Sequence, residues 1–89
     1  PISLDTRQAS AWVHQVPINL PSHEFKLLQL LMQQPGHVLT RTQLAEHIYP
    51  QDSERDSNTI EVFVGRLRRK LPSACIETVR GMGYRLVPP

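Results

Sequence analysis

The hydrophobic positions of this chain change period along its length, and each change marks a new kind of element. From Ile2 to Leu20 apolar and polar residues alternate loosely: Ile2 and Leu4, then Ala9, Ala11 and Val13, then Val16, Ile18 and Leu20. A period of two predicts short strands, with turns at Asp5-Thr6-Arg7 and His14-Gln15. Pro17 cannot donate to a sheet ladder, which favours an edge strand there. Over 22–34, "SHEFKLLQLLMQQ", the spacing becomes helical. Phe25, Leu28 and Met32 share one face and Leu27 and Leu31 lie beside it, so this helix is the expected centre of the core. Pro35-Gly36 ends it.

"VLTRTQLAEHIY" begins with a short extended piece, Val38-Leu39. Thr40 then reads as an N-cap, with Gln43 completing a capping box and Leu39 and Leu44 at the staple positions on either side. This helix runs to about Tyr49, where Pro50 stops it. The following stretch, "PQDSERDSN", holds no apolar residue and reads as a loop, with Asp56, Ser57 or Asn58 capping the next helix. That helix, "NTIEVFVGRLRRKL", places Ile60, Phe63, Val64, Leu67 and Leu71 on one seam. Asn58, Val62, Gly65, Arg66 and Arg69 fall opposite, and Pro72 ends it. "CIETVRGMGYRLV" reads as two strands around Gly81-Met82-Gly83, a hairpin with glycines where φ is positive. Imperfect alternation across Ile76–Val79 leaves room for a bulge.

Composition bounds these elements to one small domain, residues 1–89, with a modest core: 39% of the residues are apolar and there is a single Trp. Charge changes the picture more. Residues 1–61 carry four Lys/Arg against seven acids, a balance of −3, whereas residues 62–89 carry six against Glu77 alone, a balance of +5. A basic C-terminal third points to a polyanion, either nucleic acid or a membrane surface. No apolar run approaches the ~18 residues of a membrane span, and no signal peptide is visible, so a membrane is not an expected partner. Cys75 is the only cysteine, which excludes an internal disulfide and is compatible with a cytoplasmic location. The four histidines show no metal spacing, and no HExxH, CxxC, phosphate loop or nucleophile set occurs. No enzyme activity, catalytic residue, metal or cofactor is therefore expected. The chain begins at Pro1 and reads as a piece of a longer protein.

The helix pair over 40–71 supports two readings: a helix-turn-helix entering a major groove, or two packed helices with a solvated basic face. Its link of about eight residues exceeds the usual 3–4-residue turn. The Gly-tipped basic hairpin that follows favours the first, because two adjacent basic prongs are winged-helix geometry. Arg66 has the reach and the planar fork for a guanine edge. Val62 is either a contact for a thymine methyl or peripheral core. Gly65 costs a helix about 1 kcal/mol, which implies close packing or close backbone approach to a ligand. Arg68, on a different side from Arg66 and Arg69, is the least expected contact, and Arg69 and Lys70 fit phosphates or plain solvated charge. Arg80, before the hairpin tip, suits a narrow minor groove, against the alternative of an exposed turn residue. Thr78 and Tyr84 carry hydroxyls for phosphates, with a core role equally open to Tyr84.

"RDSNTIEVFVGRLRRKL" followed by "IETVRGMGYRL" resembles the C-terminal effector domain of OmpR/PhoB-family response regulators, over nearly the whole chain. "GRLRRKL" resembles the PhoP-type branch. The resemblance implies an α+β winged helix-turn-helix: an N-terminal four-stranded antiparallel sheet, three helices and a C-terminal β-hairpin wing. It implies a transcription regulator of two-component systems that binds duplex DNA head-to-tail with a second copy on direct-repeat half-sites, and is a monomer in isolation. The receiver domain, where phosphorylation occurs, is expected to be absent from this chain. The resemblance places DNA contacts on Asn58, Thr59, Glu61, Val62, Gly65, Arg66 and Arg69 of the recognition helix, and the wing arginine on Arg80. It also makes the loop bearing Asp52 and Glu54 a contact for RNA polymerase. Gly65 departs from the basic or polar residue of many relatives, Asn58 replaces an arginine found in some members, and Pro21 replaces the usual capping Thr, so Ser22 is expected to take over that cap. The competing classes are a winged-helix protein-interaction module without sequence-specific DNA binding, and an RNA-binding module. The latter would need exposed aromatics that this chain, with two Phe, two Tyr and one Trp, has few residues to supply.

Overall fold

A computed structural model describes residues 2–49, 59–71 and 75–87. Their order is β1 (Ile2–Asp5), β2 (Ser10–Val13), β3 (Val16–Ile18), α1 (Ser22–Gln33), α2 (Arg41–Ile48), α3 (Thr59–Lys70), β4 (Ile76–Val79) and β5 (Gly83–Leu86). The expected helix caps at Asp56, Ser57 and Asn58 and the loop acids Asp52 and Glu54 lie outside the described residues.

β1, β2 and β3 form an antiparallel meander in that order. It has three strands among the described residues, not the four that the family resemblance implied. Asp5 turns the chain after β1 by accepting from the Arg7 and Gln8 amides at 3.0 and 3.3 Å. Ala9, expected in the next strand, belongs to this turn instead, with φ 53°. His14 and Gln15 both take positive φ, 51° and 69°, which is the two-residue hairpin turn whose twist matches its strands. Pro17 sits on the edge strand β3, opposite Trp12.

The three helices form the body. Leu27, Leu28, Leu31, Leu44, Ile60 and Leu67 are all fully buried, and they join one cluster that β4 and β5 complete through Ile76 and Tyr84. The capping box of α2 is complete: Thr40 Oγ1 accepts from the Gln43 amide at 3.0 Å, and Gln43 Oε1 accepts from the Thr40 amide at 2.8 Å. Loss of such a cap costs about 1 kcal/mol. The expected cap on α1 is corrected. Pro21 holds the N-cap position with no side-chain bond, Ser22 is already helical, and the Pro21 carbonyl accepts from the Phe25 amide at 2.9 Å. With ψ at 160°, Pro21 feeds the helix by its backbone alone.

The hairpin pairs one residue to one residue, from Ile76 with Leu86 to Val79 with Gly83, so the strands contain no bulge. Gly81 takes φ +76° in the turn, where the Met82 amide donates to the Val79 carbonyl at 2.9 Å. Gly83 is required for a second reason: a Cβ there would stand 2.0 Å from the Leu39 carbonyl oxygen. That close approach lets Leu39 and Tyr84 pair as an isolated bridge, which is where the extended piece before α2 goes. No described helix is long and apolar enough to cross a membrane.

Candidate nucleic-acid interface

Three parts of the chain meet at one surface. The first turn of α2 brings Arg41 and Thr42 against the wing, and together with Thr78, Val79, Gly81, Met82, Gly83 and Tyr84 they line a cleft of about 240 Å³. Arg41 also reaches α3, pairing with the Glu61 carboxylate at 3.0 Å. The ion pair is about half exposed at both ends, so it adds at most about 1 kcal/mol of stability. Its larger consequence is electrostatic. Glu61 is an acid on the exposed side of α3, and Arg41 offsets the repulsion it would offer to a polyanion.

α3 divides as its seam requires. Ile60, Val64 and Leu67 are buried, while Val62, Arg66 and Arg69 are exposed and recur on one face. Val62 is 50% exposed, so it is not peripheral core. A Cβ at Gly65 would meet nothing within 4 Å, so close packing does not explain that glycine. Arg66 lies 6.0 Å from the Phe63 ring centroid, one turn earlier, which restrains the guanidinium before any ligand arrives. Phe63 in turn rests edge-on against His23, which also meets Tyr49 edge-on, at 5.1 and 4.9 Å between ring centroids. The Thr59 hydroxyl is engaged with the Tyr49 hydroxyl at 3.4 Å, at the start of the same helix.

Three other cations of the C-terminal third have partners within the domain. The Lys70 ammonium donates to the buried Glu24 carboxylate at 2.7 Å. The Arg68 guanidinium donates to the Ile76 carbonyl and the Thr78 hydroxyl. Arg85 pairs across the hairpin with Glu77. Arg80, at the wing turn, is exposed. Tyr84 is 6% exposed: its side chain belongs to the core, on the core alternative raised for it, while the residue also borders the cleft. Of the residues read as a site in the sequence, the structure thus presents Glu61, Val62, Arg66, Arg69, Thr78 and Arg80 at the surface. Thr59 and Gly65 are half-buried and Asn58 is outside the described residues.

The sequence reading missed Arg41, Thr42 and Met82, the last 61% exposed at the wing tip. Arg41 carried a signal that went unused. A cation in the first turn of a helix opposes the helix dipole, so its presence calls for another reason.

Residues 15–86 match a family model described as "Transcriptional regulatory protein, C terminal". The chain belongs to this family. Members similar to it are response regulators of the OmpR/PhoB type. The two-component response regulator PhoP of Pseudomonas aeruginosa is 46% identical over 89 residues, covering 94% of this chain and 39% of that protein. The transcriptional regulatory protein QseB of Escherichia coli O157:H7 is 45% identical over 85 residues, covering 96% and 39%. The chain therefore spans about two fifths of the length of these curated relatives. Among solved structures, the DNA-binding domain of the response regulator AdeR, in complex with an intercistronic region, superposes with a TM-score of 0.88 at 34% identity, covering 99% of this chain and 95% of that one. The DNA-binding domain of CpxR from E. coli gives 0.84 at 30%, covering 97% and 89%. The fold of this transcriptional regulatory C-terminal domain is accordingly a winged helix-turn-helix, with α2 and α3 as the helix pair and β4–β5 as the wing, and a regulatory domain of this family is not an enzyme.

Proposed function

We propose that this domain binds duplex DNA sequence-specifically, as the output domain of a two-component response regulator that controls transcription in the cytoplasm. The observation that carries the reading is that exposed cations stand on three adjoining elements: Arg41 on α2, which borders the wing cleft and pairs with Glu61 of α3, Arg66 and Arg69 on α3, and Arg80 at the wing turn. In this reading α3 lies in the major groove. Arg66 donates to a guanine O6 and N7, Val62 meets a thymine methyl, and Arg69 meets a phosphate. The absence of a side chain at Gly65 lets the α3 backbone approach the groove wall. Glu61 and Thr59 in the first turn of α3, and Asn58, are contacts in this reading, and Thr78, which accepts from Arg68, presents its hydroxyl to a phosphate while the Tyr84 side chain stays in the core. Arg80 enters the minor groove, where the potential is most negative. Arg41 and Thr42 approach the backbone from the start of α2. The fold shared with a DNA-bound relative supports the same docking.

Two partners complete the proposal. A second copy binds head-to-tail on a direct repeat, the isolated domain being a monomer, and the acidic loop bearing Asp52 and Glu54 meets RNA polymerase. A salt titration with duplex DNA, with single-stranded RNA as control, tests the central claim. If about four phosphates are neutralised, log K falls against log salt with a slope of roughly −3 to −4. A flat response, or equal affinity for the RNA, sinks the DNA reading in favour of a protein-binding or RNA-binding winged helix.

A further inference from the structure

The wing is gripped on both edges, by different chemistry. On the β5 edge, the Leu39 amide donates to the Tyr84 carbonyl at 2.8 Å, the Tyr84 amide donates to the Leu39 carbonyl at 3.0 Å, and the Gly36 amide donates to the Leu86 carbonyl at 3.0 Å. These are backbone bonds to the body of the domain. The β4 edge has no strand beside it among the described residues. One side chain of α3 takes that place. Arg68 donates from Nε and Nη2 to the Ile76 carbonyl at 3.2 and 2.8 Å, and from Nη2 to the Thr78 hydroxyl at 2.8 Å. Its guanidinium carbon also stands 5.9 Å from the centroid of the Tyr84 ring.

This arrangement uses features that only arginine offers: a rigid planar fork with several donors, and a flat face for an aromatic ring. It spans the first three residues of β4, ending two residues before Arg80 at the turn. It also begins two residues after Arg66, about 200° around the same helix. The residue that reads a base and the residue that holds the wing are therefore fixed to one rigid rod, on opposite sides of it.

We propose that Arg68 is a positioning residue for DNA binding. It does not touch the duplex. It sets the angle and stiffness of the wing relative to α3, so that Arg80 reaches the minor groove when α3 is seated in the major groove. This rests on the DNA-binding reading above, and its test is built to separate the two. The affinities of the wild type, Arg80→Ala, Arg68→Ala and the double variant are measured on a duplex selected by the wild-type protein from a random pool. Arg80→Ala is expected to cost about tenfold in the wild type and less than about twofold in the Arg68→Ala background. Arg68→Lys keeps the charge but not the fork, and is expected to behave like Arg68→Ala. In the DNA-free Arg68→Ala protein, residual dipolar couplings of the β4–β5 amides should shrink relative to those of α3, while the urea midpoint reports a folded body.

Additive costs of Arg68→Ala and Arg80→Ala would overturn the proposal. So would full affinity in Arg68→Lys, the behaviour of a plain phosphate contact, or unchanged couplings in the wing. A wild-type protein that binds no duplex at low salt would instead sink the DNA reading and, with it, the role in binding; the dipolar couplings would then still decide whether Arg68 holds the wing.

Discussion

The pair formed by Glu24 and Lys70 joins α1 to α3, and its two ends are unequally solvated. The Glu24 side chain is 2% exposed and the Lys70 side chain 33%, with 2.7 Å between their charged atoms. Removing either partner should therefore have very different costs. Lys70→Met strands a carboxylate in the interior. Breaking a fully buried pair from one side costs about 3–5 kcal/mol, and the partial exposure of Lys70 lowers the expectation here to about 2–3 kcal/mol. For a domain of this size each kcal/mol moves Tm by roughly 4–8 °C, so Lys70→Met should melt roughly 10–20 °C below the wild type. Glu24→Leu removes the buried end instead. The ammonium can then turn its long stem toward water, and the loss should stay near or below about 1 kcal/mol. The double variant replaces the pair with apolar atoms and should return to within about 1 kcal/mol of the wild type.

Urea melts of the four proteins, followed by circular dichroism and by the fluorescence of Trp12, give the double-mutant cycle directly. Coincident transitions by the two probes are the condition for reading them as free energies. The reasoning is refuted if Glu24→Leu costs as much as Lys70→Met. It is also refuted if the double variant is no more stable than Lys70→Met alone, because the cost would then lie in lost packing and not in a stranded charge.

Arg66→Ala should lower the ratio of specific to non-specific binding, by about 1–3 kcal/mol of discrimination, while Arg69→Ala weakens all sequences alike; an unchanged ratio for Arg66→Ala removes it as the base reader. Two copies should occupy half-sites about one helical turn apart, ~10–11 bp, so inserting half a turn should abolish cooperativity, and cooperativity that survives the insertion rejects the tandem arrangement. Replacing Asp52 and Glu54 with Ala in the full-length regulator should leave DNA affinity within a few fold while transcription at an activated promoter falls; unchanged transcription would show that these acids merely decorate the loop.

What could be read in the sequence was local. The seam of α3, the capping box at Thr40 and Gln43 and the hairpin glycines all depend on neighbours within a few residues, and each stands as expected. What could not be read was which charges meet across elements. Glu24 lies in the first turn of α1, where an acid suits the helix dipole and needs no partner, yet it is 1% exposed and its cation lies 46 positions away. Arg68 was placed correctly off the Arg66 and Arg69 side by the helical period, but its acceptors, Ile76 and Thr78, sit on another element. Gly83 showed the same limit: positive φ was foreseeable from a hairpin turn, but the nearby Leu39 carbonyl was not.

This has a consequence for the charge that drives binding. The C-terminal third has six cations, but Lys70, Arg85 and Arg68 are held by Glu24, Glu77 and the wing. Arg66, Arg69 and Arg80 remain, because Arg41, from the acidic part of the sequence, borders the wing cleft but pairs with Glu61 as Arg85 pairs with Glu77. The cations available to phosphates are therefore three of the six, close to the number of phosphate contacts assumed from the sequence. The salt slope can detect this. Arg69→Gln should flatten it by about 0.9, the contribution of one phosphate contact. Arg85→Gln, which removes a charge closer in sequence to the wing tip, should leave the slope unchanged because that charge already has a carboxylate beside it. Glu77→Gln in turn frees Arg85, and any change it makes should steepen the slope. If Arg85→Gln flattens the slope as much as Arg69→Gln does, binding follows the count of cations in the C-terminal third and not their arrangement in the fold.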